Sequence, residues 1–580
     1  MSRPGVDFSQ GATGSVVQAP AVAYATDHLP DSAQGGDASD PASTSGNTTA
    51  SSGASCVPEP YSAPPVEDQT FDPYDQTTSN VFRYRQQASV NLGSWFVHEK
   101  WMTPSVFKCA AGAQASELDI ASGWGSVAGA QAVLERHWDT FITESDFNYL
   151  ASIGINTVRL PIGYWTLGPN FTAGTAFEDV GQAYANSWPR VLRAINQAAH
   201  ANIGVLLDLH GAVGSQNGQP HSGISDGQTQ LFAIPENMDK TIAALEYVAG
   251  QLQSVNNVVG IQILNEPTYG TGLEDFYTRT IEALRATGPN AEDMPLYMHD
   301  GFQSDKFSPF IANRTDFVVQ DHHSYFVFTP ADQAESATQH TNDVNNTISP
   351  ALLNTSKQDR RNLIVGEWSC ALSPQSVESD GDATQVRKQF CTKQMQAYEA
   401  DAAGWSFWSY MKEDCDNDPG WCFKAAVGKS LPHDFYTLRK SAAKDASLNA
   451  TDVSDSDNLI MPTISKDILN LIGRPRPQAM APLPNLAHRF AAIRARRDAD
   501  PTSSGHAAAV NASTSRGYTD GMTTAKVFAD KESRLGFTGQ FILDAIKVAG
   551  PEQIPQSTQH AYRDGFLQGL KEGERVAKES

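Results

Sequence analysis

The chain runs to 580 residues, 40% of them hydrophobic, with 42 Lys and Arg against 65 Asp and Glu, a formal net charge of −23. That balance excludes binding a nucleic-acid backbone or an anionic membrane through broad electrostatics, and no apolar run reaches the roughly eighteen residues that a bilayer span needs. What remains is a chain able to bury a large core, whose 44 Gly and 32 Pro point to long loops and unstructured ends.

Residues 1–78 are mostly Ser, Thr, Ala, Gly and Pro, with ten acids and one base in the first eighty positions. Such a segment buries too little surface to offset its ordering entropy and is expected to be disordered. The opening MSRPGVDFSQGATG lacks the apolar stretch of a secretory leader, which favours an intracellular protein. Seven N-x-S/T sequons, at Asn47, Asn170, Asn313, Asn345, Asn354, Asn449 and Asn511, lean the other way, and the compartment stays open. Six cysteines form no C-x-x-C pair, so no metal site is expected. Disulfides, above all between Cys415 and Cys422, and free thiols both fit.

From residue 79 to 440 the texture is short β-branched runs alternating with amphipathic stretches, the mark of repeated βα units. Eight runs stand out, beginning at Ser89, Ile155, Ile203, Val258, Pro295, Phe317, Leu363 and Gly404. Eight is the number that closes a (β/α)8 TIM barrel. The helix after Thr143 has a Thr143-x-x-Asp146 capping-box start and Gly154 as its stop. Seven of the eight runs begin apolar and end polar or aromatic, at Arg159, His210, Asn265 and Glu266, His299 and Asp300, His323 and Tyr325, Glu367, and Trp408. That places the chemistry at the C-terminal rim, where barrel enzymes carry their sites. Residues 441–515 read as a linker. Residues 516–580 read as a small helical tail of two packed helices without chemistry, in which Tyr518-x-Asp520-Gly521 is echoed by Tyr562-x-Asp564-Gly565. Docking on the barrel, self-association and recruitment of a partner are all open to it, and a monomer is expected.

Glu266 in I-L-N-E-P and Glu367 in I-V-G-E-W belong to the fourth and seventh runs, on facing walls of the mouth, where two carboxyls can act on a sugar between them. One must be protonated to serve the leaving oxygen and the other ionised to attack the anomeric carbon. Asn265 suits the sugar 2-hydroxyl, Arg159 can hold a carboxylate ionised, with His323 and Tyr325 alongside, and Glu99 can accept from hydroxyls. Trp408, Trp95 and Trp165 offer flat faces to a pyranose, with core packing the commoner fate of any single Trp.

Seven ordered blocks, S-V-N-L-G-S-W-F-V-H-E-K-W, G-I-N-T-V-R-L-P-I-G-Y-W, L-D-L-H-G-A-V-G-S-Q-N-G, I-L-N-E-P, D-H-H-S-Y-F-V-F, V-G-E-W-S and G-W-S-F-W-S-Y, resemble glycoside hydrolase family 5, and the resemblance spans about Phe82 to Thr437. They look closest to its fungal exo-β-1,3-glucanase branch. The resemblance implies a retaining barrel enzyme with Glu266 as acid/base and Glu367 as nucleophile. It assigns Arg159, His210, Asn265, His323, Tyr325 and Trp408 to the subsite of the non-reducing-end glucose, Glu99 to that sugar's outer hydroxyls, and Phe328 to one half of an aromatic clamp on the leaving sugar. Two departures stand out. Ser94 replaces the branch's usual Gly, and Gln219-Pro220 replace the aromatic and acid that supply the other half of the clamp. The expected activity is release of terminal β-linked glucose from a β-1,3-glucan, with no nucleotide, flavin or metal cofactor. A β-glucosidase acting on an intracellular glucosylated lipid or sterol is the second reading. A catalytically silent sugar-binding or scaffold protein is the third.

Overall fold

The computed structural model describes residues 56–438 and 501–579. All eight runs are strands: β1 (Gln87–Asn91), β2 (Thr157–Gly163), β3 (Gly204–Gly211), β4 (Val258–Gln262), β5 (Leu296–His299), β6 (Val318–Ser324), β7 (Leu363–Trp368) and β8 (Gly404–Phe407). They pair in parallel and in chain order, with β8 returning to β1, into a closed barrel. Every strand residue is buried, because helices cover the outside while side chains fill the inside. The capping box after Thr143 is present and starts the helix Glu144–Ser152.

Residues 1–55 of the expected disordered segment lie outside the described residues, but 56–78 are placed on the barrel. Cys56 is disulfide-bonded to Cys109, Tyr61 donates to Asp139 at 3.0 Å, and the helix Gln76–Tyr84 is capped by Asp75. A covalent tie and local polar contacts order a stretch whose composition has no core of its own. The remaining cysteines pair as Cys370–Cys391 and Cys415–Cys422, which closes the question of free thiols.

Most of the expected linker, residues 441–500, is likewise outside the described residues, while its last fifteen residues belong to a helix, Pro501–Ala529. Two more helices follow, Thr538–Gln553 and Gln559–Glu579, so the tail has three helices where two were expected. It docks on the barrel floor. Phe537, Phe541 and Phe566 pack against Tyr84, Tyr297, Phe317 and Ile364 at the N-terminal end of the strands. Asn362 Nδ2 donates to Gln540 Oε1 at 2.9 Å, and Tyr84 OH to Asp544 Oδ2 at 2.7 Å. The echoed Tyr-x-Asp-Gly motifs face one another across the first and third helices. A β-carbon on Gly521 would collide with the Phe566 carbonyl, and one on Gly565 with the Thr514 carbonyl. The repeat thus encodes a close backbone approach, sealed by Tyr562 OH donating to Asp520 at 2.8 Å.

Candidate active site

At the other end of the barrel the rim residues converge. Glu367 is the fifth residue of β7, and a register shift between His322 and His323 sets His323 opposite it, the re-aiming that a bulge beside a site provides. Glu266 lies four residues past β4 at φ +40°, a left-handed conformation that an L residue keeps only where its surroundings hold it. Here Asn217 Nδ2 donates to the Glu266 carbonyl at 3.0 Å, and the Asn265 amide donates to the Leu209 carbonyl at 3.0 Å. His323 Nδ1 stands 2.7 Å from Glu266 Oε1 and 3.4 Å from Glu367 Oε2. Those two carboxylate oxygens are therefore no more than about 6 Å apart. Carboxyl groups lie ~5–5.5 Å apart in retaining glycosidases and ~6.5–9.5 Å apart in inverting ones.

Arg159 organises the floor of the pocket. Its Nη1 donates to Glu367 Oε1 and to Asn91 Oδ1, both at 2.8 Å, its Nη2 to Asn265 Oδ1 at 2.7 Å, and its Nε to Gln262 Oε1 at 2.7 Å. Asp208 Oδ2 lies 3.0 Å from Nη2, so this fully buried cation has two carboxylate partners. Tyr325 OH donates to Glu367 Oε2 at 2.8 Å. His210 Nδ1 is 2.7 Å from Asp208 Oδ2, and its ring stacks on Trp408 at 5.6 Å and 11°. Glu99 accepts from Trp101 Nε1 at 2.7 Å, and burial pushes its carboxyl up to about 6.

The charges are strongly linked. Burial disfavours a cationic His323, but Glu367, Asp321 and Glu266 outweigh it and raise the imidazole to about 10. Burial pushes Glu367 up to about 7 against the pull of His323 and Arg159. At Glu266 the His323 hydrogen bond outweighs burial and holds the carboxyl well below the usual range. Because both carboxyls face one imidazolium, they titrate as a unit, and the value near 7 belongs to the pair.

Residues 122–414 match the family model for cellulases, glycosyl hydrolase family 5. The chain belongs to glycoside hydrolase family 5. This is a family of retaining glycosidases, in agreement with the carboxylate spacing. The family 5 chain is 31% identical over 397 residues to glucan 1,3-beta-glucosidase 3 of Schizosaccharomyces pombe, a match covering 66% of this chain and 78% of the relative. It is 31% identical over 398 residues to the Aspergillus niger protein named "Probable glucan 1,3-beta-glucosidase A", covering 61% and 90%. Among solved structures, the rutinosidase from Aspergillus niger aligns with a TM-score of 0.46 at 17% identity, over 59% of this chain and 96% of that one.

Of the residues expected at the family 5 site, Glu266, Glu367, Arg159, His210, Asn265, His323, Tyr325 and Trp408 form one connected cluster, with Glu99 beside it and Phe328 on the rim, 44% exposed. Trp95 and Trp165 do not join it. Trp95 donates to the Trp138 carbonyl, and Trp165 stacks on Phe177 at 4.6 Å, so both are core. His299 packs against His323 at 4.3 Å, while Asp300 accepts from Gln320 Nε2 at 3.3 Å and lies 2.8 Å from His322 Nδ1.

Six residues of the network are not among those expected: Asn91, which accepts from Arg159 at 2.8 Å, and five more. Asp208 and Asp321 sit two positions before His210 and His323, in D-L-H and D-H-H, so strand alternation places each acid on the same inward face as its histidine. Gln262 links Arg159 to Asp321, donating to Asp321 Oδ2 at 2.7 Å. His221 Nδ1 lies 3.3 Å from His210 Nε2, and its Nε2 lies 3.9 Å from Glu266 Oε2. Trp421 completes an aromatic rim, with its ring 6.0 Å from Phe328, 5.6 Å from Tyr325 and 5.4 Å from Trp101.

Proposed function

We propose that this family 5 chain releases glucose from the non-reducing end of β-1,3-glucan by double displacement, with Glu367 as nucleophile and Glu266 as acid/base. The observation that carries the reading is the single His323 nitrogen within hydrogen-bond range of one carboxylate and 3.4 Å from the other. It supports both the short spacing and a route for the proton. With the pocket empty, the pair's one proton rests on Glu367. When a sugar enters, His323 passes its Nδ1 proton to Glu266 and takes the one from Glu367. Glu367 is then ionised and still held by Arg159 and Tyr325, Glu266 is ready to protonate the leaving oxygen, and His323 remains a cation. The linkage and the terminal-glucose preference rest on the two relatives' names and on Glu99 and Trp101 walling the pocket.

Product analysis on β-1,3- and β-1,6-glucans tests the substrate. Glucose as the sole early product, faster from the β-1,3 polymer, is expected; early mixed oligomers overturn exo action. The leaving-sugar side is built differently from the family's aromatic clamp, with Gln219 in place of one ring and Trp421 beside Phe328. Trp421→Ala is expected to raise KM for a β-1,3-oligosaccharide about five- to tenfold, the loss of ~1 kcal/mol of stacking, and to leave hydrolysis of a small aryl glucoside nearly unchanged. An equal effect on both substrates argues against Trp421 as a contact for the leaving sugar.

The linked titration sets the pH profile. The working form holds one proton on the carboxyl pair, so kcat/KM falls as pH rises through about 7, tending to a tenfold loss per unit. A kcat/KM that stays flat from pH 7 to 9 would contradict the shared-proton arrangement.

A further inference from the structure

The loop leaving β6 carries Tyr325 and Phe328 to the mouth and then folds into two short helices, Pro330–Ala334 and Ala337–Asp343. At their junction three side chains unrelated to the sugar chemistry converge. One ligand atom from each of Glu335, His340 and Asp343 lies within 4.8 Å of the other two. His340 and Asp343 share a helix face at i, i+3, and Glu335 comes from the connector just before the Ser336 cap.

The setting of His340 is that of a built ligand. The residue is 1% exposed, with its ring wedged between Phe326 at 5.5 Å and Phe390 at 6.1 Å. Its Nε2 lies 2.9 Å from the Asp332 carbonyl. A carbonyl oxygen only accepts, so Nε2 carries the proton, and Nδ1 is turned toward Glu335 Oε2 at 3.5 Å. A histidine whose second ring nitrogen donates to a backbone carbonyl is the usual arrangement of a metal ligand. Asp343 is oriented in turn by Gln339 Nε2, which donates to Oδ1 at 2.8 Å. One carboxyl oxygen of Glu335 and one of Asp343 lie within 4.8 Å of each other. Two carboxyls and an imidazole nitrogen at one point favour a positive charge among them. The helix then passes into a π-turn, Val344–Ile348, a feature that often accompanies functional sites.

We propose that Glu335, His340 and Asp343 form a binding site for a divalent transition-metal ion of the zinc class. One imidazole and two carboxylates are a borderline donor set that suits Zn²⁺ or Mn²⁺ better than the all-oxygen shells of Ca²⁺ and Mg²⁺. Glu335, with its side chain 43% exposed, leaves the site open to solvent and is free to close on an ion. A bound ion would join the connector to the second helix, bracing the segment that presents Tyr325 and Phe328 to substrate.

Titration of untagged, EDTA-stripped full-length protein with ZnCl2 and MnCl2, followed by calorimetry and thermal unfolding, tests this, with MgCl2 and CaCl2 as comparators. Expected are one Zn²⁺ bound per chain at micromolar or lower Kd, a rise in Tm on binding, and at least tenfold weaker binding in both His340→Gln and Asp343→Asn. Asp343→Asn is the check should His340→Gln fail to fold. Glu266→Gln separates this site from the pocket, where Glu266, His299 and His323 also lie close together, and is expected to bind Zn²⁺ as the unsubstituted chain does. Absence of stoichiometric Zn²⁺ binding, or binding lost in Glu266→Gln and kept in Asp343→Asn, overturns the proposal.

Discussion

Glu367→Gln is expected to stop turnover at the first chemical step, with kcat reduced on the order of 10⁴–10⁶-fold, the scale of removing a covalent nucleophile, the role proposed for Glu367. An amide has neither the charge nor the free lone pair to attack the anomeric carbon. The fold survives the change for a reason visible in the pocket. The buried Arg159 loses one carboxylate, but Asp208 remains at 3.0 Å, so no isolated charge is stranded. The Gln oxygen can keep the bond from Arg159 Nη1, while its amide nitrogen donates to the Tyr325 hydroxyl, which stands 2.8 Å from Glu367 Oε2. Thermal unfolding should therefore move by only a few degrees while activity disappears. A 2-fluoro glucoside with a good leaving group gives the direct readout. It should add one sugar mass to the unsubstituted protein, on the peptide containing Glu367, and none to Glu367→Gln. Turnover within tenfold of the unsubstituted enzyme, or a label on a different acid, would falsify the nucleophile assignment.

Much of this pocket could be read from the sequence because a parallel barrel turns order along the chain into order around a ring. Each strand buried on both faces reads as an apolar β-branched run, and its polar end marks the mouth. Glu367, His323 and Arg159 lie within strands and Asn265 and Glu266 just beyond one, and their convergence follows from closure of the ring. The inward acids Asp208 and Asp321 follow from the same two-residue period, each two positions before a histidine nearer the rim. Loop residues carry no such period. His221 and Trp421 reach the pocket through turns whose paths depend on contacts distant in sequence, among them the Asn217 bond to the Glu266 carbonyl and the Cys415–Cys422 disulfide. The position of the tail is illegible in the sequence for a related reason. Its glycines encode closeness to another backbone without saying which, and its docking on the floor depends on aromatic residues at the strand starts that look like ordinary core.

Glu266→Ala separates the two halves of the catalytic cycle. With a β-1,3-oligosaccharide the departing hydroxyl needs a proton, and kcat/KM is expected to fall about 10³-fold, within the usual range for loss of a general acid. With a 2,4-dinitrophenyl glucoside the departing phenolate needs none, so formation of the glycosyl-enzyme proceeds within about tenfold of the unsubstituted rate. The second step then stalls, because nothing activates water, and an initial burst of phenolate gives way to slow turnover. A small anion can relieve that stall. Glu266 is 18% exposed and its removal opens a space beside the anomeric carbon, so azide should restore turnover and yield a β-glucosyl azide. The β configuration follows from attack on the face that the departed group left, with Glu367 bonded to the other. The lost carboxylate also frees His323 from its 2.7 Å partner, leaving the imidazolium to Asp321 at 3.3 Å and Glu367 at 3.4 Å. The nucleophile then feels more positive charge, and the alkaline fall of activity near pH 7 should disappear in this variant because the shared proton no longer has a second carboxyl to serve. Equal losses on both substrates, or an α-azide product, would remove Glu266 from the acid/base role and return the question of which group serves the leaving oxygen to His221, whose ring lies 3.9 Å from the Glu266 carboxylate.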